Sequence, residues 1–284
     1  MPVLSVVAGA YTGPMRPFAL VVLVAVLAAG GFALAACGGE DSATPATTTG
    51  PAPTTPSTET APTTTTAPDA RLSLRVYFLR DGKVAPAGRS LPRTQAVAAA
   101  ALNALVAGPT SEEREAGLTT SVAGGAGFSG LRIADGVATV EEDAALSRAA
   151  QAQVVYTLTQ FPTVRAVRLE RRRLTRAGFE EQTPPILVES PTPGDTISSP
   201  VRIHGTANTF EATFIVKLLL NAAGQTAFQH FVTATSGSGT RGTFDVTIPF
   251  TVRGEGPATL VAFEESAADG RPIHTVEIPV SIRS

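Results

Sequence analysis

The sequence predicts a small α+β module followed by an all-β sandwich, set behind an N-terminal apolar run and a low-complexity spacer. Three observations predict it. Between residues 71 and 181, alternating apolar runs are interleaved with stretches of helical period. From Ile186 onward the period is two throughout, with Gly, Pro and Asp between the runs. Residues 40–69 are dominated by Thr, Pro, Ala and Ser and cannot bury enough apolar surface to fold. The expected order is a leader over 1–36, a segment with a disordered linker over 37–70, an α+β module over 71–181 and a sandwich over 182–284.

The leader has a short basic lead, Met15-Arg16, and an apolar stretch over 18–36 rich in Val, Leu and Ala. It ends in Leu34-Ala35-Ala36-Cys37, and Cys37 is the only cysteine of the 284 residues. Small residues before a cysteine, behind an apolar segment, resemble a bacterial lipobox. The resemblance implies a signal peptide cut before Cys37, a diacylglycerol on its sulfur and palmitate-type acyl chains. Two or more chains anchor stably where one does not. An uncleaved transmembrane helix is the other reading, since the stretch is about long enough to span; Gly30 and Gly31 weaken it. Either way the rest of the chain is expected outside the cytoplasm, on the outer face of the bacterial cell membrane. The first fourteen residues carry no charge, so Met1 and Met15 both fit as starts. The linker, extended at about 3 Å per residue, would lift the modules off the membrane.

In the α+β module, Leu72, Leu74, Val76 and Phe78 alternate with Ser73, Arg75 and Tyr77 as a strand, and Asp81-Gly82 is a turn. A helix is expected next, capped by Thr94, striped by Val97, Ala101 and Leu105, and stopped by Gly108-Pro109. Thr110 and Glu113 form a capping box for a short helix. Asp135-Gly136 between two alternating runs marks a hairpin. Asp143 is the expected cap of a long helix with the stripe Leu146, Ala150, Val154, Leu158 and Phe161, ended by Pro162. A strand over 164–169 follows. The order β-α-α-β-β-α-β predicts a small sheet with helices on one face.

In the second module the strands are carried by Val201 and Ile203; by Phe214, Val216, Leu218 and Leu220; by Phe244, Val246, Ile248 and Phe250; by Leu260 and Ala262; and by Val276, Ile278, Val280 and Ile282. Many short strands between turn signals predict a sandwich.

Two family resemblances accompany this reading. Val76-Tyr77-Phe78, Gly108-Pro109, Asp135-Gly136 and above all Gln153-Val154-Val155-Tyr156-Thr157-Leu158-Thr159-Gln160-Phe161-Pro162 resemble the GerMN domain of sporulation and spore germination. Val188-Glu189-Ser190-Pro191-Thr192-Pro193-Gly194-Asp195, then Gly205-Thr206-Ala207 and Asp269-Gly270, resemble the immunoglobulin-like domain found behind bacterial spore-germination domains. One departure stands out: Glu170-Arg171-Arg172-Arg173 replaces the turn glycine that the first family has after its last strand. The resemblances imply a lipoprotein with envelope protein partners, a sensor kinase or wall machinery among them.

Composition narrows the chemistry. A net charge of −2 carries no nucleic-acid footprint. One cysteine permits no disulfide within the chain, so the core alone must hold the fold. Gly237-Ser238-Gly239-Thr240-Arg241-Gly242 matches G-x-G-x-x-G, but a strand follows it where a dinucleotide site needs a helix, so it reads as a hairpin loop. His204, His230 and His274 lack ligand spacing, so no metal or other cofactor is expected. Glu141, Glu142 and Asp143 are the densest acids, and paired carboxylates can divide acid and base roles. Asp143 already has a use as a helix cap, so the three read as structural. Arg165, Arg168, Arg171, Arg172, Arg173 and Arg176 form the one charge cluster. The first five are the candidate interaction surface, weighed against a solvated edge strand protected by charge. The expectation is a non-catalytic envelope lipoprotein that binds other proteins and takes no small-molecule substrate. A peptidoglycan or wall-polymer binder is the first alternative and a wall hydrolase the second.

Overall fold

A computed structural model describes residues 71–283, apart from Ala123, Gly125 and residues 221–223. Cys37, the leader and the linker lie outside the described residues.

The first module opens with a hairpin, β1 (Arg71–Arg80) and β2 (Lys83–Pro92), closed by Asp81 and Gly82 in the left-handed region. The turn is where the sequence predicts it, but a second strand follows it before the helix. Helix α1 (Val97–Ala107) has Ala96, not Thr94, at its N-cap, and buries Ala98, Ala101, Leu102 and Leu105 on one face. Gly108 ends it at φ 79°. Thr110 and Glu113 make both bonds of the predicted capping box for α2 (Ser111–Glu115). Glu113 also takes a two-pronged ion pair from Arg89 of β2, which ties α2 to the hairpin.

Strands β3 (Phe128–Ala134) and β4 (Val137–Glu142) meet at Asp135-Gly136. Helix α3 (Arg148–Leu158) then crosses to β5 (Ala166–Leu169), which pairs parallel to β4. Its cap is Ser147, whose hydroxyl accepts from the Ala150 N–H. The assignment of that role to Asp143 is therefore corrected: its carboxylate lies over Gly127 instead, four residues before the helix cap. The helix ends at Leu158, short of Pro162. Strand β6 (Arg172–Leu174) closes a hairpin with β5 through Glu170 and Arg171, both at positive φ without glycine. A 3-10 segment, Arg176–Gln182, leaves the module. The α+β class holds, but the expected single sheet is two: the β1–β2 hairpin and a four-stranded sheet in the order β3-β4-β5-β6.

The second module is a β-sandwich. One sheet has the order β11-β10-β13-β14-β8 and the other β12-β9-β7. The strands are β7 (Ile186–Ser190), β8 (Thr196–Ile197), β9 (Val201–Ala207), β10 (Thr213–Leu220), β11 (Gln225–Thr233), β12 (Gly242–Ile248), β13 (Gly256–Glu265) and β14 (Pro272–Ile282). Alternate residues Val201, Ile203, Phe214, Val216, Leu218, Leu260, Ile278 and Val280 fill the space between the sheets. The Phe214 and Phe244 rings meet edge to face at 4.9 Å and join the two layers. Strand β11 is absent from the sequence reading because only Phe228 and Val232 are fully buried along it, while Phe231 is exposed. The glycine-rich segment runs directly into β12, with residues 237–241 a loop between strands and Gly242 the first residue of the strand.

Candidate functional site: the joint between the modules

The joint starts from how β1 hides its free edge. Counting back from the two-residue turn, Arg80, Phe78, Val76, Leu74 and Leu72 face β2 with their amides and carbonyls, and the residues between them face away. Those outward groups need partners if buried. Leu79 exchanges two bonds with the Thr119 backbone. The Tyr77 N–H donates to Thr157 Oγ1, and its carbonyl accepts from Gln153 Nε2. The Arg75 N–H donates to Gln160 Oε1, and its carbonyl accepts from Gln160 Nε2. Three side chains from α3 and the turn after it thus stand in for a neighbouring strand. This explains why Gln153 and Thr157 are fully buried polar residues, and it gives the Gln153-to-Gln160 motif a physical task.

On the same face of β1 as Arg75, Tyr77 reaches across to the second module. Its hydroxyl donates to Glu189 Oε1 of β7. The Arg176 guanidinium donates to the same oxygen at 2.7 Å and lies over both the Tyr77 and Tyr156 rings. Tyr156 OH bonds Thr183 Oγ1 at 2.7 Å. Burial opposes the charge on Glu189, but Arg176 and the Tyr77 hydroxyl outweigh it and hold the carboxyl below its ordinary range. Burial, with Glu189 beside it, pushes the Tyr77 phenol well above its ordinary value. A second set lies at the end of the 3-10 segment. Arg241 donates to both oxygens of Glu180 and to the Pro184 carbonyl, and Asn208 Nδ2 donates to Glu180. Apolar contact completes the joint: Leu187 of β7 is buried in the core of the first module.

Among the described residues three clefts border this joint, and two of them are large. One, about 660 Å³, runs between β1 and the segment after β7, with Ser73, Arg75 and Gln160 on one wall and Ser190 and Thr192 on the other. Thr192 comes so close to β2 that a Cβ on Gly88 would sit 2.6 Å from its Oγ1. The second, about 670 Å³, is lined by Arg176, Arg202, His204 and Asp245. His204 is half-buried there, and burial together with the Arg75 charge lowers its pKa.

The predicted arginine surface divides. Arg176 belongs to the buried joint and leaves the cluster. Arg165 folds over the hairpin turn, with its guanidinium 2.7 Å from where a Gly136 Cβ would stand and a bond to the Asp135 carbonyl. Arg168, Arg171, Arg172 and Arg173 are exposed on β5, β6 and their turn. Register adds one arginine that sequence reading missed. Arg132, Thr139, Arg168 and Arg173 are paired in succession across the four strands, so three exposed arginines form a row on one sheet face.

Among the acids, Glu141 and Glu142 point to opposite faces of β4 by strand alternation. Glu142, whose pKa burial raises, and Asp143 border a small cleft of about 290 Å³. His274 Nδ1 lies 2.8 Å from the buried Glu264. Among the described residues no three metal-ligating side chains cluster.

These features define a class: an α+β module closed onto a sandwich through a buried polar joint. Residues 75–171 match the family model for sporulation and spore germination, and residues 185–271 match that for the immunoglobulin-like domain of bacterial spore germination. Each match covers about a third of the chain, and the chain thus carries these two domains in tandem. Among solved structures, the tandem GerMN domains of the sporulation protein GerM from Bacillus subtilis match at 25% identity, with a TM-score of 0.32. That match spans 35% of this chain and 38% of the other. Comparison with curated proteins gives no match.

The sequence did hold a signal for the joint. Glu189 is an acid placed after Ile186-Leu187-Val188 in a strand that is buried along most of its length. A charge in such a run calls for a cation beside it, and the half-buried Arg176 is the one supplied.

Proposed function

We propose that the chain is a non-catalytic lipoprotein of the sporulation and germination type, held by Cys37 on the outer face of the cell membrane, and that its joined modules bind another envelope protein. The observation that carries this reading is the joint. Charged and aromatic side chains are used to lock one module on the other, and the result is a continuous surface with clefts at the seam, where binding sites commonly lie. A sensor kinase or a component of wall machinery is the kind of partner the family resemblance suggests. The test is crosslinking in intact cells with mass spectrometry, run beside Cys37→Ser. One reproducible envelope partner is expected, lost together with membrane attachment in the variant. Wild-type protein that takes up no acyl probe, or that crosslinks to nothing, removes this reading.

One observation favours a second reading, a wall-polymer binder. The row Arg132, Arg168 and Arg173 suits a repeating anion, because guanidinium groups grip phosphate and carboxylate in two-pronged fashion. Sedimentation with purified sacculi separates the two. Retention at moderate salt that is lost on replacing these arginines supports the polymer; no retention leaves the protein partner.

A further inference from the structure

The edge of β1 that α3 covers is covered only in part. Leu79, Tyr77 and Arg75 have outward backbone groups with partners. Ser73, the next outward residue, has none among the described residues, and it lines the 660 Å³ cleft beside Gln160. The imitation of a strand by α3 therefore stops where the cleft begins. A second feature sits at the same place. Arg75 lines the cleft, its guanidinium donates to no described residue, and its Nε is buried without a partner. The two acids that line the cleft bond elsewhere: Glu189 accepts from Tyr77 and Arg176, and Asp195 accepts from the Thr192 N–H. A buried unpaired donor on a cation is a costly arrangement that an incoming acceptor relieves. The cleft also offers apolar footing in Val97 and Phe161 and hydroxyls in Ser190 and Thr192. Its volume falls within the usual range of ligand sites, about 300–1,000 Å³.

We infer that this cleft takes an extended peptide of the partner protein as an added strand along Ser73, with a peptide carboxylate on the Arg75 guanidinium. An open strand edge supplies main-chain bonds to any extended chain, and pockets beside it supply selectivity. The cation selects for a carboxylate, from an acidic side chain or from a chain end. This deepens the protein-binding reading above and rests on it.

The probe is a random hexapeptide library, displayed once with a free C-terminus and once flanked on both sides by Gly-Ser, and selected on the full-length protein. Enriched peptides should carry a carboxylate at one fixed position. Enrichment in both formats assigns it to a side chain, and enrichment in the first alone assigns it to the chain end. Arg75→Gln should abolish the acidic preference and weaken binding at least tenfold. Ser73→Pro should do the same to binding, because it removes the outward N–H without removing a bond to β2. Both variants should stay folded, as circular dichroism reads, since neither loses a described hydrogen bond of its side chain. No enrichment, or peptides that bind both variants as tightly as wild type, overturns the inference. If the partner captured in cells persists with Arg75→Gln and Ser73→Pro, the cleft assignment falls while the protein-binding function stands. If wild type captures nothing, that function falls with it.

Discussion

Four exposed arginines and a fifth, Arg176, separated from them by two residues of sequence, meet opposite fates. Arg168 to Arg173 stand in water on a short hairpin, where Arg168 and Arg173 face each other directly as like charges. Arg176 is packed over two neighbouring tyrosine rings with its charge on Glu189. The formal charges are identical, so the difference lies in desolvation and partners. Exposed charges interact weakly through water. A buried charge makes its surroundings obligatory, because removing its counter-ion leaves it stranded.

The largest test of this contrast is Glu189→Ala. It strands Arg176 and the Tyr77 hydroxyl, and it should cost about 3 kcal/mol in denaturant unfolding. Next is Gln153→Leu, which keeps the volume but orphans the Tyr77 carbonyl and the Ser121 N–H. Its cost should be about 2 kcal/mol by the same measurement.

Acid probes the joint more gently. The folded pKa of Glu189 is lowered, so its contribution is complete above the unfolded carboxylate pKa and disappears as pH falls through the lowered folded value. Glu180, held down by its hydrogen bonds from Arg241, acts in the same sense. Melting midpoints should therefore drop below about pH 4.5, and Glu189→Gln should flatten part of that drop. The smallest effect belongs to the exposed hairpin. Arg171 sits at φ 64°, a conformation that suits glycine. Arg171→Gly should raise stability by about 1 kcal/mol.

The same contrast explains what could be read in advance. Local chemistry was legible: Asp81-Gly82 and Asp135-Gly136 turn where expected, and Thr110 with Glu113 caps α2. Strand β2 was not, because Ala85, Pro86, Ala87 and Gly88 give no alternation; its place is set by pairing with β1. Asp143 and Ser147 both suit a helix cap, and only the course of the chain over Gly127 decides between them. The joint was illegible as a unit. Tyr77 and Glu189 are 112 residues apart, and no local pattern links them. The arginine row needed register as well, since Arg132 enters it from a different hairpin.

Differential scanning calorimetry of the full-length protein tests the joint most directly. If the polar seam couples the modules, wild type unfolds in one cooperative transition, and Glu189→Gln combined with Arg241→Ala splits it in two. Two separate transitions already present in wild type, unmoved by those substitutions, would contradict the account.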